Sequence, residues 1–331
     1  MARLARPSLA AALAACQSLA AAQPAATDLR DLPRVGRIDA RSGQVIERVH
    51  VTNPSGPCIV IGRGVRQVTV RHARIGPCGP APLDDYGVFI LDGATEITIT
   101  DNVIHAVGTG VKAHKARGPI LVERNLFYEV RGPLWNGQAV QFNGVQAGSA
   151  SSRIRCNVSD AWLGRPPIGY EDHISLYDSH GSAAAPIVVA YNRIRGGSSR
   201  SGGGITVGDQ GGSWIEVTGN RVVQAVNSGI GVAGGHQIRV TDNLVDNRGP
   251  GPAARTHMAY FVRAFSACSD IRLQGNRGVA RLWLWGETDG RLHPGYRHGP
   301  ELCSRVDDRD NQFGDERLDP DSLWQKPEAC R

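Results

Sequence analysis

Apolar and polar residues alternate in short runs along most of the chain, and seven of these runs close on an asparagine. They are ITITDN at Asn102, ILVERN at Asn125, SRIRCN at Asn157, IVVAYN at Asn192, IEVTGN at Asn220, IRVTDN at Asn243 and IRLQGN at Asn276. Alternation with period two is the mark of a strand with one buried face. The asparagines stand 23, 32, 35, 28, 23 and 33 residues apart. Such spacing suits a unit of constant core and variable loops that cannot bury its apolar face alone and stacks on copies of itself. The pattern predicts an all-β fold, a single parallel solenoid over residues 42–290. Asparagine suits the repeated position because it tolerates left-handed backbone and its amide can bond its counterpart one coil on. Its expected role is a structural ladder.

A second short strand, usually opened by glycine, precedes most of these runs: GVFILD (87–92), GVKAHK (110–115), AVQFNG (139–144), HISLYD (173–178), GITVGD (204–209) and GIGVAG (229–234). Alternation assigns Val88/Ile90, Val111/Ala113, Val140/Phe142, Ile174/Leu176, Ile205/Val207 and Ile230/Val232 to the core. The opposite face, read down the stack, gives one column of Phe89, Lys112, Gln141, Ser175, Thr206 and Gly231. The next column is Leu91, His114, Asn143, Tyr177, Gly208 and Ala233, and at the strand ends stand Asp92, Lys115, Gly144, Asp178, Asp209 and Gly234. Strands one coil apart lie about 4.8 Å from each other, so the polar groups of the middle coils form one patch. Glu171, Asp172 and His173 stand at its entrance. This patch is the candidate site.

Composition fits thin strands and many corners: 41 glycines, 19 prolines and only 6% aromatic residues. No run approaches the roughly 20 apolar residues of a membrane span. The first residues, with Arg3 and Arg6 ahead of an alanine/leucine stretch and small residues, read as a signal peptide over 1–22. Cleavage after Ala22 competes with a lipoprotein-like box, Leu13-Ala14-Ala15-Cys16. Export to the periplasm or medium follows from either. Residues 23–41 are expected as a lead-in and 291–331 as an irregular cap on the C-terminal end, with Trp283 and Trp285 closing the last coil. Beyond Cys16 six cysteines remain, which allow 15 pairings. Cys58 with Cys78, about one coil apart, and Cys268 with Cys303 are the expected pairs. No CxxC or histidine cluster suggests zinc.

The formal charge is +6. Removing Arg3 and Arg6 leaves +4, and residues 301–331 carry nine acidic against five basic side chains, so the span 23–300 carries +8. A basic exported surface attracts acidic polysaccharide, lipid headgroups or nucleic acid. Export removes nucleic acid, and the expected partner is an acidic polysaccharide bound by a monomer. Only three residues are lysine, Lys112, Lys115 and Lys326, which draws notice to the first two.

The strand ending in asparagine and the glycine-opened second strand resemble the right-handed parallel β-helix proteins of the pectin-lyase-like superfamily, over about residues 42–290. EDHISLYDS (171–179) is similar to the DDxIxI segment of polygalacturonase-type hydrolases, and GGGITVGDQGG (202–212) to their GHGLSIGSxGG segment. Gly203 stands where that family has histidine, and its Asn-Thr-Asp run has no match near QFNGV (141–145). The resemblance implies activity on uronate-containing polysaccharide, with β-elimination first and hydrolysis second, and a non-catalytic glycan-binding or cell-surface protein as the competing class. For elimination Lys112 is the expected base, aided by His114 and Lys115, with Glu171, Asp172, Asp178 and Asp209 as possible Ca²⁺ ligands. For hydrolysis the same four carboxyls must supply an acid and a base roughly 6.5–9.5 Å apart. Gln141, Asn143 and Tyr177, with Trp162, suit sugar hydroxyls and ring stacking.

Overall fold

The computed structural model describes residues 29–79, 85–132, 136–165, 169–197, 199, 201–225, 227–249, 258–263, 265–281, 292–293, 296–298 and 303–331. The expected signal peptide and Trp283/Trp285 lie outside the described residues. The chain winds into a three-sided solenoid of parallel strands. Ladder 1 runs from Arg34–Val35 to Arg277–Arg281. Ladder 2 stacks Ile38–Ala40, Ile59–Ile61, Tyr86–Ile90, Thr109–His114, Val140–Asn143, Ile174–His180, the first half of Gly203–Thr218, Ser228–Val232, Met258–Val262 and Tyr296–His298. Ladder 3 runs from Val45–Glu47 to Cys303–Arg309. Gly203–Thr218 passes from ladder 2 into ladder 3 without a break, pairing with Ile174–His180 and then with Ile187–Ala190.

The apolar pattern decides the inside. Val88, Val111, Val140, Ile174, Ile205 and Ile230 of ladder 2 meet Ile99, Val122, Ile154, Val189 and Val217 of ladder 3 and Ile104, Phe127, Ile194 and Val222 of ladder 1, and all are buried. Aliphatic and β-branched side chains pack well on this pleated surface.

The asparagines turn the chain from ladder 3 to ladder 1, and their reason differs from expectation. The left-handed residue is the one before each of them: Asp101 (φ 56°), Arg124 (φ 55°), Cys156 (φ 57°), Tyr191 (φ 56°) and Asp242 (φ 55°), with glycine at 219 and 275. What selects asparagine is its amide. Asn157 Nδ2 donates to Asn192 Oδ1 at 3.0 Å and to the Val122 carbonyl at 2.8 Å, while its own Oδ1 accepts from the backbone N–H and the Nδ2 of Asn125, both at 3.0 Å. Each rung thus satisfies groups on two neighbouring coils, all buried. The pattern also continues past the expected boundary, because Asn276 Nδ2 donates to Asn311 Oδ1 at 2.9 Å and Cys303–Arg309 pairs with Cys268–Gln274.

Three disulfides are formed: the expected Cys58–Cys78 and Cys268–Cys303, and Cys156–Cys330, which sequence spacing gave no reason to single out. The last explains where the tail goes. Instead of sitting only on the C-terminal end, residues 315–331 run back along the outside of ladder 1. Arginines of the solenoid hold them there: Arg193 and Arg155 donate to the carbonyls of Trp324 and Ala329 at 2.7 and 2.8 Å, Arg277 pairs with Asp315 at 2.6 Å, and Arg195 lies over the Trp324 ring at 4.1 Å. An acidic tail covers a basic flank, as the opposite charge balances favour. Ladder 3 is closed differently, by ion pairs across coils such as Arg71–Glu47, Arg153–Glu123 and Arg272–Asp307.

Candidate functional site

The register of ladder 2 brings the expected first column together. Lys112 pairs with Phe89 on one side and Gln141 on the other, Gln141 with Ser175, Ser175 with Thr206, and Thr206 with Gly231. In the second column His114, Asn143 and Tyr177 are neighbours as expected. The next member is Asp209 rather than Gly208, because the pairing slips between Leu176 and Tyr177. Gly208 is the extra residue of this bulge. It has φ +74°, and a Cβ there would lie 2.1 Å from the Gly234 carbonyl oxygen. Bulges of this kind re-aim a side chain, and this one moves Asp209 from the strand end into the second column. Gly208→Val is expected to destabilise the fold by at least about 2 kcal/mol and to lower turnover with it, read by denaturant unfolding and by assay of the soluble fraction.

The acids do not form one cluster. Asp172 is buried at the entrance to ladder 2, where its Oδ1 accepts from the Gly203 N–H at 2.8 Å and the Thr206 hydroxyl at 2.7 Å. Both bonds fall on one oxygen, which leaves Oδ2 to carry a proton. Burial, together with the charges of Glu171 and Asp209, pushes its carboxyl up to about 7, against the two hydrogen bonds. Glu171 beside it is held by the Ser199 and Ser201 hydroxyls at 2.7 and 2.5 Å. Asp209 is also raised, by burial, with hydrogen bonds from Gln210 opposing. Asp178 stands apart: its exposed carboxylate meets His180 Nε2 at 3.1 Å, whose Nδ1 meets the Ser213 hydroxyl at 3.1 Å. Its backbone is left-handed, φ 43°, at the same irregularity that brings Asp209 in.

Lys112 lies three rungs from Thr206, about 14 Å along the stack. Its Nζ donates to Asn136 Oδ1 at 3.2 Å and sits 5.2 Å from the centre of the Tyr86 ring. Tyr86 in turn meets Phe89 at 4.6 Å, so an aromatic pair stands at that end of the first column. Lys115 is exposed and His114 half-buried on the same strand. His173, at the entrance in the sequence, points inward instead. It is bonded to the Ser159 hydroxyl at 2.6 Å and the Gly196 carbonyl at 2.9 Å, and burial lowers it to about 4. It is a neutral core residue. Trp162 lies beside Gly196 and under the Arg195 guanidinium at 5.2 Å, against ladder 1 rather than in the second-ladder columns.

Sequence reasoning missed Asn136, Ser199 and Ser201, which position Lys112 and Glu171. The Ser-Ser-Arg-Ser-Gly-Gly-Gly run at 198–204 is the signal for the serines, since small polar residues ahead of a glycine-opened strand can approach a carboxylate closely. Ca²⁺ finds little here. Among the described residues no three His, Cys, Asp or Glu side chains converge to hold a metal, and Glu171 and Asp178 are committed to serine and histidine partners.

The family description "right handed beta helix region" matches residues 37–277. The chain belongs to the right-handed β-helix family. That bears out the pectin-lyase-like resemblance at the level of fold. Comparison with curated proteins finds no match. Among solved structures, the catalytic domain of a GH87 α-1,3-glucanase in complex with tetrasaccharides is similar at 12% identity and TM-score 0.50, covering 84% of this chain and 58% of that one. An alginate lyase from Paenibacillus sp. str. FPU-7 is similar at 11% identity and TM-score 0.43, covering 85% and 99%. The chain thus spans less than two thirds of the glucanase domain, and the likeness is one of fold.

Proposed function

We propose that this β-helix cleaves glycosidic bonds in an acidic polysaccharide laid along the outer face of ladder 2, with Asp172 as general acid. The observation that carries the reading is the setting of Asp172. A buried carboxyl beside two other acids, with one oxygen uncommitted, keeps its proton near neutral pH and can deliver it to a leaving oxygen. Asp209, on the next coil and brought beside Tyr177 by the bulge, is the base that would take a proton from the attacking water. Asn143, Tyr177, Ser175 and Thr206 offer hydroxyl and amide groups between them. Lys112 and Lys115 supply the cationic end for a uronate carboxylate, with His114 beside them. The reading is supported by a catalytic domain of similar fold, that of a GH87 α-1,3-glucanase, whose structure holds tetrasaccharides.

Elimination, the first expectation from sequence, is the second reading. It is favoured by the Lys112–His114–Lys115 row, where an amine base could remove the proton beside a uronate carboxylate. Hydrolysis gains over it because the raised acid lies about two rungs from Lys112, roughly 10 Å along the stack. The products decide between them. Purified protein is incubated with polygalacturonate, alginate and a neutral glucan; new reducing ends without ultraviolet-absorbing unsaturation support hydrolysis, and unsaturated ends support elimination. Binding without cleavage of any polymer would favour the non-catalytic class. Lys112→Met is expected to raise KM on the acidic polymer about tenfold or more while leaving kcat within a few-fold, as for a group that binds substrate and transition state alike. Loss of kcat with KM unchanged would instead make Lys112 the base.

A further inference from the structure

Ladder 1 carries a cavity of about 300 Å³ on its outer face, in the gap between Leu29 of the lead-in and Trp324 of the returning tail. Its floor is set by the register: Val103 pairs with Leu126, Leu126 with Val158 and Val158 with Arg193. The same outward column carries Arg74 before them and Arg221 after Arg193. Three consecutive apolar side chains thus interrupt a column of arginines, and Leu126 and Val158 are only half-buried. An apolar floor in a concave gap with a few charged groups around it is the usual make-up of a ligand site.

The charges around this floor do not balance. Asp101 is taken by Arg124 at 2.8 Å and Asp160 by Arg195 at 2.6 Å. Arg193, which also lines the cavity, donates to the Trp324 carbonyl and lies 5.4 Å from the centre of its ring. Among the described residues no carboxylate pairs with Arg193, and none with Lys326 of the tail. Burial, then the charges of Arg221 and Arg195, hold Arg193 below its ordinary value, with Asp160 opposing. Lys326 is lowered by burial and by Arg193, Arg124 and Arg331, so these cations crowd one another. An anion placed among them relieves that repulsion. The aliphatic floor and the indole ask for more than a bare anion, because they match a ligand that also has an apolar face, as a sugar ring does. A second indole stands near: the Arg195 guanidinium is 4.1 Å from the Trp324 ring and 5.2 Å from that of Trp162, which is 53% exposed.

We infer that this cavity is a second, non-catalytic site that holds one carboxylate-bearing sugar unit of the acidic polysaccharide, its carboxylate toward Arg193 and its ring against the Val103–Leu126–Val158 floor and Trp324. The ligand class rests on the reading above, while the site shares no residue with ladder 2. A polymer held here raises the effective concentration of its other segments at ladder 2.

The test titrates Asp172→Asn protein, which is not expected to consume the ligand, calorimetrically with galacturonate and alginate trisaccharides and with a neutral glucan trisaccharide. Two bound acidic trisaccharides per chain are expected. Adding Leu126→Trp, which fills the cavity and leaves every arginine in place, or Arg193→Leu, which removes the cation, should weaken one of the two at least tenfold, with the melting temperature showing that each variant is folded. The neutral trisaccharide should bind this site at least tenfold more weakly than the acidic ones. One bound acidic trisaccharide that Leu126→Trp loses keeps this site and removes the ladder 2 reading. Binding that both variants leave unchanged overturns this site and leaves ladder 2 standing. Equal binding of the neutral trisaccharide here overturns the acidic ligand class, and no binding of any acidic trisaccharide overturns both readings.

Discussion

Asp172→Asn is expected to abolish most turnover and at the same time to stabilise the protein at neutral and alkaline pH. The loss should be about 10²- to 10⁴-fold in kcat, the usual contribution of a positioned acid. The gain follows from linkage. Asp172 titrates near 7 in the folded protein against 3.8 as a free side chain. Between those values the unfolded chain has lost the proton and the native chain keeps it, so stability falls as pH rises through this window and is level above it. Asparagine has no proton to lose and still offers an oxygen to Gly203 and Thr206. The variant should therefore match the parent near pH 4 and exceed it above pH 7 by up to about 4 kcal/mol, read by denaturant unfolding across pH. Wild-type activity should fall on the alkaline side with an apparent pKa near 7. A variant inactive but no more stable at pH 8 than at pH 4, relative to the parent, would mean that Asp172 is ionised in the native state.

Removing a middle rung of the asparagine ladder should cost the most stability. Asn192→Ala deletes a buried amide that donates to Asn220 Oδ1 at 2.9 Å and the Ile154 carbonyl at 2.8 Å, and accepts from the N–H and Nδ2 of Asn157, both at 3.0 Å. The groups left behind are buried and have no water to turn to. At 1–3 kcal/mol for each orphan, the cost should be about 4 kcal/mol or more. Asn311→Ala, at the partly exposed end of the same ladder, should cost about 1–2 kcal/mol. Equal, small losses at both positions would show that the ladder records the repeat without supporting it.

The solenoid was legible because one strand pattern is written again and again, and each copy votes for the same register. The first outward column followed from alternation alone, from Phe89 through Lys112, Gln141, Ser175 and Thr206 to Gly231. The second failed at Gly208, since a bulge adds a residue without changing the apolar pattern around it, and so Asp209 rather than Gly208 joins Tyr177. His173 was misplaced for a related reason: at a corner, alternation no longer tells inside from outside, and the Ser159 hydroxyl and Gly196 carbonyl that draw it inward come from other parts of the coil. The eighth rung at Asn311 was hidden in VDDRDN, where charged residues replace the usual apolar ones. The course of the tail was beyond reading, because Cys156 and Cys330 are 174 residues apart and nothing local joins them.

The most direct test of the account is the structure of Asp172→Asn protein crystallised with an oligosaccharide of the best-bound acidic polymer. The account predicts sugar density along the Lys112–Gln141–Ser175–Thr206 column, with a glycosidic oxygen in hydrogen-bond reach of residue 172. Sugar bound on ladder 1 or ladder 3 and absent from this column, in a protein whose parent cleaves that polymer, would contradict it.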